Sequence, residues 1–163
     1  MSERLEALLE ANRAAAAPIA GMPANPRRRL AILTCMDARI EPLSSLGLQL
    51  GEAHVIRNAG ARVTPDVLRS LALSQHVLGT DAVLVLGHTR CGLHGATDED
   101  LAEAVRRGGG DPEGLRFLPF DAVEEGVRES VASLAGAPAL RPDTQVWGAV
   151  YDVDSGRVSE VAR

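Results

Sequence analysis

Residues 30–39 of the chain are Leu30-Ala31-Ile32-Leu33-Thr34-Cys35-Met36-Asp37-Ala38-Arg39, an apolar run followed at once by polar side chains. A second stretch has the same pattern: Ala82-Val83-Leu84-Val85-Leu86 leads into Gly87-His88-Thr89-Arg90-Cys91-Gly92. Continuous apolar runs of this length are typical of strands buried on both faces of a parallel sheet. The only two cysteines of the chain therefore lie where two core strands end. In open α/β sheets this is the edge at which ligands bind.

Working outward from these two strands, further elements follow in an alternating order. The pattern predicts a strand at 53–57, helices at 65–78, 98–107 and 121–134, and a terminal hairpin that turns at Asp154-Ser155-Gly156. This order predicts an α/β fold with one central, mostly parallel sheet, in strand order 2-1-3-4 with an antiparallel edge strand 5, flanked by helices. In such a sheet strands one and three are neighbours, so Cys35 and His88 should meet although they are far apart in sequence.

Length and composition predict a single domain over residues 1–163. Of the 163 residues 45% are hydrophobic but only 2% are aromatic, so Leu, Val, Ile and Ala must form the core. We expect an α/β core at 30–163 and an arm at 1–29, made of a helix over 3–17 and a Pro- and Gly-containing linker. A lone helix must bury its apolar stripe somewhere, either on its own domain or across a second subunit.

Charge and cysteine content exclude several classes of function. The net charge of −5 and the pI near 5.4 argue against nucleic acid as a partner. No apolar run approaches the length of a membrane span, and the N-terminus does not resemble a signal peptide. We therefore expect a cytoplasmic protein, in which a structural disulfide would be unusual. Its two cysteines are then free thiols, metal ligands or a redox pair.

The residues at the two strand ends form a ligand set that zinc favours. His88 and Cys91, three residues apart, can reach one ion from a single turn, and Cys35 can supply a third ligand from the adjacent strand. Three protein ligands leave a fourth position, where zinc makes a bound water acidic enough to supply hydroxide near neutral pH. Two thiolates neutralise the charge of the metal, so the bound water should be less acidic than at a site with three imidazoles. We therefore expect activity to rise toward alkaline pH.

Asp37 has two alternative places beside this site. It can fill the fourth position on the metal itself, or it can pair with Arg39, whose guanidinium binds carboxylates through two hydrogen bonds. Other interpretations remain open at this point. The two cysteines can be small buried hydrophobes or a redox disulfide, and Asp37 with Arg39 can be an ordinary surface ion pair.

The motifs together are similar to those of a known family. Cys-x-Asp-x-Arg at 35–39, Arg57-Asn58-Ala59-Gly60, the segment 87–92 and the terminal segment 147–156 resemble the β-class carbonic anhydrases, over roughly residues 30–161. The resemblance implies zinc held by Cys35, His88 and Cys91, with Asp37 as a fourth ligand when the site is closed. It implies Asp37 and Arg39 as the catalytic dyad and carbon dioxide and bicarbonate as the substrate pair. It also implies a homodimer or a dimer of dimers.

Two other functions use the same residues. The metal site could hydrolyse carbon disulfide or carbonyl sulfide, or permanent closure by Asp37 could leave a zinc-binding regulatory protein without activity. Around the site, Arg57 and Asn58 either shape its floor or form a structural ion pair. His94 is either a proton shuttle or a surface histidine without a role.

Overall fold

The computed structural model describes residues 2–163, which form five strands and five helices. The strands are β1 (Leu30–Cys35), β2 (Ala53–Asn58), β3 (Ala82–His88), β4 (Gln145–Tyr151) and β5 (Val158–Ala162). The helices are α1 (Glu3–Ala15), α2 (Pro42–Ser45), α3 (Pro65–His76), α4 (Asp98–Arg107) and α5 (Val123–Ala135). A single 3₁₀ turn at Ala59–Ala61 follows β2.

The five strands form one sheet in the order β2-β1-β3-β4-β5. The first four strands are parallel, and β5 runs antiparallel to β4 after the hairpin turn. In the register, Thr34 of β1 lies opposite Arg57 of β2 and Leu86 of β3. The predicted fold class and strand order are confirmed, and the C-terminal ends of β1 and β3 lie side by side.

Local signals in the sequence account for where the helices begin. Thr64 caps α3, since its hydroxyl accepts a hydrogen bond from the Val67 amide, and Pro65 occupies the first helical position. Thr97 and Asp100 form a reciprocal capping box at the start of α4. Helix α5 begins at Val123 rather than at the predicted Asp121, because Ala122 has extended backbone and no side chain caps this end.

The two faces of the sheet are covered unequally. One face packs against α3 and α5 and holds most of the core, including Ala31, Leu33, Val83, Val85, Val67, Leu71, Val127 and Val131. The opposite face has a smaller cluster of Ile32, Leu86 and Ala149, which packs against leucines of α2 and of the loop that follows it. Leu84 and Trp147 line a groove on this second face. Cys35 belongs to the first cluster, so the metal motif is built on the well-packed side.

Helix α1 contributes nothing to this core. None of its residues is buried, and Leu5, Leu8 and Leu9 are all exposed. The helix ends at Ala15, two residues before the predicted end. The linker that follows returns to the domain near Asn25, whose side chain donates to the Leu78 carbonyl. The apolar stripe of α1 is therefore without a partner in the described chain.

Candidate metal centre

Three potential metal ligands converge at the C-terminal ends of β1 and β3. Cys35 and His88 are the last residues of these strands, and Cys91 lies in the loop that follows β3. Their candidate ligand atoms all lie within 4.8 Å of one another, and all three residues are buried. Both cysteines are free thiols. The predicted convergence of the two motifs is therefore confirmed, because the parallel pairing of β1 and β3 places the two strand ends side by side.

The imidazole of His88 is held in one orientation by its own backbone neighbour. Nδ1 lies 2.9 Å from the Thr89 carbonyl oxygen, which can only accept a hydrogen bond, so Nδ1 carries the proton. Nε2 is fully buried and has no hydrogen-bond partner among the described residues. A metal-binding histidine commonly has this arrangement, with one ring nitrogen donating to a carbonyl and the other left free for the ion.

The two sulfur atoms differ in their acidity. A hydrogen bond from the Cys91 thiol lowers the pKa of Cys35 to about 4, against the effect of burial and with further help from His88 and the Gly60 amide. The Gly60 N–H lies 3.4 Å from Sγ of Cys35. The thiolate at Cys35 in turn raises the pKa of Cys91, and burial raises it further. One negative charge therefore resides on this pair of sulfurs.

The same thiolate affects His88. Burial lowers the pKa of the imidazole, but the nearby Cys35 thiolate and the hydrogen bond to the Thr89 carbonyl outweigh burial and leave the pKa of His88 above its ordinary value. Two sulfur donors, one of them already ionised, and a buried imidazole nitrogen without a partner form a set that fits zinc.

Asp37 and Arg39 form a bidentate ion pair beside the three ligands. Nε and Nη2 of Arg39 donate to the two carboxylate oxygens of Asp37 at 2.9 and 2.7 Å, and the Arg39 amide donates to Oδ1 at 2.9 Å. These hydrogen bonds hold the pKa of Asp37 well below its usual range. Oδ2 of Asp37 lies 3.9 Å from Nε2 of His88, yet Asp37 stays outside the group of three. Of its two expected places, Asp37 occupies the one paired with Arg39.

Arg57 stabilises the backbone of the Cys35–Arg39 motif. Its guanidinium donates to the backbone carbonyl of Cys35 at 3.0 Å and to that of Asp37 at 2.7 Å. Asn58 acts locally, since its side chain bonds both the N–H and the carbonyl of Arg62. Arg57 therefore supports the site through backbone contacts and forms no ion pair within residues 2–163, whereas Asn58 holds the turn after β2 and contacts none of the proposed ligands.

A cleft of about 330 Å³ opens onto the sulfur atoms. Besides Cys35, Asp37 and Cys91, its walls are Met36, Ala59, Gly60, Gly92 and Leu93. Gly60 has a φ of 74°, and a Cβ at this position would lie 2.6 Å from Leu93. Glycine therefore satisfies both the left-handed backbone and the close approach of Leu93. The exposed His94 is not part of this lining.

Sequence reasoning missed some of the residues that support the site. Thr89 orients His88 through a backbone carbonyl, which leaves no signal in the side-chain pattern. The amide of Gly60 contacts Cys35, and Leu93 forms a wall of the cleft. Gly60 and Thr89 lie inside motifs that the sequence made visible, at 57–60 and 87–92, whereas Leu93 lies just past the second motif.

Comparison with known proteins places these features in context. A family model described as carbonic anhydrase matches residues 30–107. The chain is 43% identical over 145 residues to Beta-carbonic anhydrase 1 of Mycobacterium tuberculosis, covering 86% of each chain. It is 31% identical over 164 residues to a carbon disulfide hydrolase of Acidianus sp., covering 86% of this chain and 79% of that one. The crystal structure of a carbonic anhydrase from Streptococcus mutans superposes with a TM-score of 0.89 at 42% identity, over 99% of both chains.

Proposed function

The chain belongs to the β-carbonic anhydrase family, and we propose that it is a zinc-dependent enzyme that hydrates carbon dioxide to bicarbonate and a proton. One observation carries this proposal. The ligand atoms of Cys35, His88 and Cys91 lie within 4.8 Å of one another, and the buried Nε2 of His88 has no hydrogen-bond partner in the described part of the chain. An ionised carboxylate lies beside them and an apolar cleft leads to them.

We assign Cys35, His88 and Cys91 as the zinc ligands and Asp37 with Arg39 as the catalytic dyad. When zinc is bound, it lowers the pKa of a coordinated water toward neutrality. Arg39 keeps Asp37 ionised and turned toward itself, so that the carboxylate accepts a hydrogen bond from the attacking water instead of closing the site. The walls formed by Met36, Ala59 and Leu93 suit a small substrate without charge. Product bicarbonate is charged and is less well accommodated there.

Stopped-flow measurement of carbon dioxide hydration by the zinc-loaded protein, from pH 7 to pH 9, tests this proposal. We expect a rate well above buffer that rises toward alkaline pH and is abolished in the metal-free protein. A zinc content near one per chain together with a rate no higher than buffer would contradict the enzymatic role. The bidentate pair of Asp37 and Arg39 in this structure favours activity over a permanently closed zinc protein.

Hydrolysis of carbon disulfide or carbonyl sulfide is a second candidate. Both molecules are small and apolar like carbon dioxide, and the cleft walls do not discriminate against sulfur. The similarity to the Acidianus carbon disulfide hydrolase is the observation that favours this function. Release of hydrogen sulfide from either compound at a higher kcat/KM than carbon dioxide hydration would assign the chain to this activity.

We further propose that the chain works as a homodimer or a dimer of dimers, with residues 1–29 as an arm and 30–163 as the catalytic core. The unburied stripe of α1 and the groove beside Leu84 and Trp147 support an exchange of contacts between copies. We also propose a cytoplasmic location, because two cysteines that serve as thiolate ligands are best preserved in a reducing compartment. The helices of the described chain lack the length and apolar character of a membrane span.

A further inference from the structure

Arg90 lies between two of the proposed ligands and has an unusual backbone. Its φ is 57°, in the left-handed region that residues with a Cβ adopt only at a cost. Strain of this kind persists only where the surrounding contacts hold it.

The carbonyl of Arg90 is bonded by the dyad. Nη2 of Arg39 donates to this oxygen at 3.0 Å and to Oδ2 of Asp37 at 2.7 Å. One guanidinium nitrogen therefore links the carboxylate to the backbone between His88 and Cys91. Apart from Asp37, this carbonyl is the one hydrogen-bond partner of the Arg39 guanidinium among residues 2–163.

The turn between β4 and β5 holds the Arg90 peptide from the other side. The Arg90 guanidinium lies 2.8 Å from the carboxylate of Asp154 in that turn. The neighbouring Thr89 accepts a hydrogen bond at 3.1 Å from the Val153 amide and donates its own amide to the Tyr151 carbonyl at 3.0 Å. These three contacts join the loop of His88 and Cys91 to the hairpin.

The hairpin turn is itself well ordered by short-range bonds. The carboxylate of Asp152 accepts hydrogen bonds from the amides of Asp154 and Ser155, at 2.8 and 3.0 Å. The Asp152 carbonyl accepts from the Gly156 amide, also at 2.8 Å. Asp154 therefore projects from a fixed base toward Arg90.

We infer that Asp154 is a positioning residue for the dyad: by holding Arg90, it fixes the carbonyl that keeps Arg39 paired with Asp37. This role deepens the proposed function and rests on it, because the pair matters for catalysis only if Asp37 and Arg39 are the dyad. The hairpin turn, which contributes no ligand and no wall of the cleft, thereby becomes part of the catalytic apparatus.

Hydrogen exchange at Nε–H of Arg39 tests the positioning without any metal. It is measured by ¹H–¹⁵N NMR on the metal-free chain, with the signal assigned through Arg39→Lys. We expect Asp154→Asn to raise the exchange rate about two- to fivefold, which is the scale that ion pairs of this exposure reach. The matched control is Asp81→Asn, which removes another exposed pair, Arg29 with Asp81 at 2.7 Å, from the opposite edge of the sheet. In this control, the hydrogen-exchange rate at Nε–H of Arg39 should equal that of the parent chain.

A second pair of variants tests the backbone of Arg90. Glycine adopts a φ near 57° without the Cβ penalty, whereas alanine does not, and neither side chain can reach Asp154. Exchange at Arg39 should therefore be faster in Arg90→Ala than in Arg90→Gly. Equal rates in these two variants, or an unchanged rate in Asp154→Asn, would overturn the proposal.

Activity of the zinc-loaded enzyme supplies an independent readout. With Arg39 less firmly held, the Asp37 carboxylate is less firmly oriented, and kcat for carbon dioxide hydration in Asp154→Asn should fall about two- to fivefold at an unchanged zinc content. Thermal unfolding of each variant shows whether the fold itself has altered. If the parent chain fails to hydrate carbon dioxide, the proposed function falls, while the NMR comparison still decides whether Asp154 positions Arg39.

Discussion

Asp37 and Arg39 are the two residues whose chemistry depends most on each other. We expect Arg39→Ala to retain zinc, since Arg39 contacts none of the three ligands through its guanidinium, yet to lose about 10²-fold in kcat/KM. Zinc content by atomic absorption and hydration rates by stopped flow measure the two effects separately. The control is Arg69→Ala, which removes an arginine paired with Asp66 on the surface of α3. Full activity in Arg39→Ala would contradict the dyad.

The pairing of Asp37 also predicts how stability depends on pH. Arg39 holds the folded-state pKa of Asp37 below the value of about 3.9 expected in the unfolded chain. A depressed pKa contributes stability that is fully present above the unfolded value and is lost as the pH falls toward the folded value. Urea unfolding of the metal-free chain should therefore show Asp37→Asn to be less stable than the parent at pH 7, with the difference shrinking below about pH 4. A difference that is constant from pH 7 to pH 3 would contradict this linkage.

Replacement of a proposed metal ligand should abolish zinc binding while the chain stays folded. In His88→Ala the buried Nε2 is gone, and we expect zinc content to fall from near one per chain to near zero after dialysis, with hydration falling to the buffer rate. His76→Ala is the matched control, because His76 lies at the end of α3 and its ring bonds, among residues 2–163, the Ala139 carbonyl alone. Retention of zinc by His88→Ala at the parental level would overturn the assignment of this ligand.

At the residue scale, the sequence allowed the roles of the ligand side chains to be predicted, but not the hydrogen bonds made to backbone groups. Cys35, His88 and Cys91 could be brought together because their strands were evident and their chemistry is complementary. The role of Arg57 stayed undecided because its partners are two carbonyls, which every residue possesses. Thr89 was overlooked for the same reason. Such contacts depend on local dihedral angles that no side-chain pattern specifies.

At the scale of elements, the approach of α5 to the sheet is set by small residues on the strands. A Cβ built on Gly87 of β3 would lie 2.6 Å from a methyl of Val127 and 3.2 Å from one of Val123. We expect Gly87→Ala to destabilise the chain by about 1–3 kcal/mol, the typical cost of overpacking a core, as measured by urea unfolding. Gly92→Ala is the control, since a Cβ there meets nothing within 4 Å and should change stability little. Equal stabilities would show that α5 shifts freely.

The elements themselves were predictable to differing degrees. The apolar runs of β1 and β3 and the caps at Thr64 and Thr97 are strong local signals, and these elements begin where they were expected. Helix α3 ends at His76, however, two residues before the predicted end at 78. The start of α5 was placed two residues early, at Asp121, whereas the chain enters the helix through the extended backbone of Ala122. The unequal covering of the two sheet faces could not be predicted, since it depends on where each crossover packs.

At the scale of the whole molecule, α1 is the feature that predicts assembly. Burying Leu5, Leu8 and Leu9 against a second copy would gain about 1.5–3 kcal/mol for each side chain. We expect Leu8→Glu to weaken the dimer at least about tenfold in sedimentation velocity, because a carboxylate would then have to be buried. Ala7→Glu, on the opposite side of the helix, should leave association unchanged. A parent chain that is monomeric at micromolar concentration would overturn the dimer.

The adjacency of β1 and β3 has a consequence for the order of folding. Thr34 and Leu86 pair although 52 residues separate them along the chain, so the three ligands are complete only after that long loop has closed. An ion captured at this stage stabilises the finished protein and contributes little to the barrier that precedes it. Chelation should consequently hasten denaturation while the speed of renaturation hardly changes. The metal would then bind late in folding and act mainly by slowing unfolding.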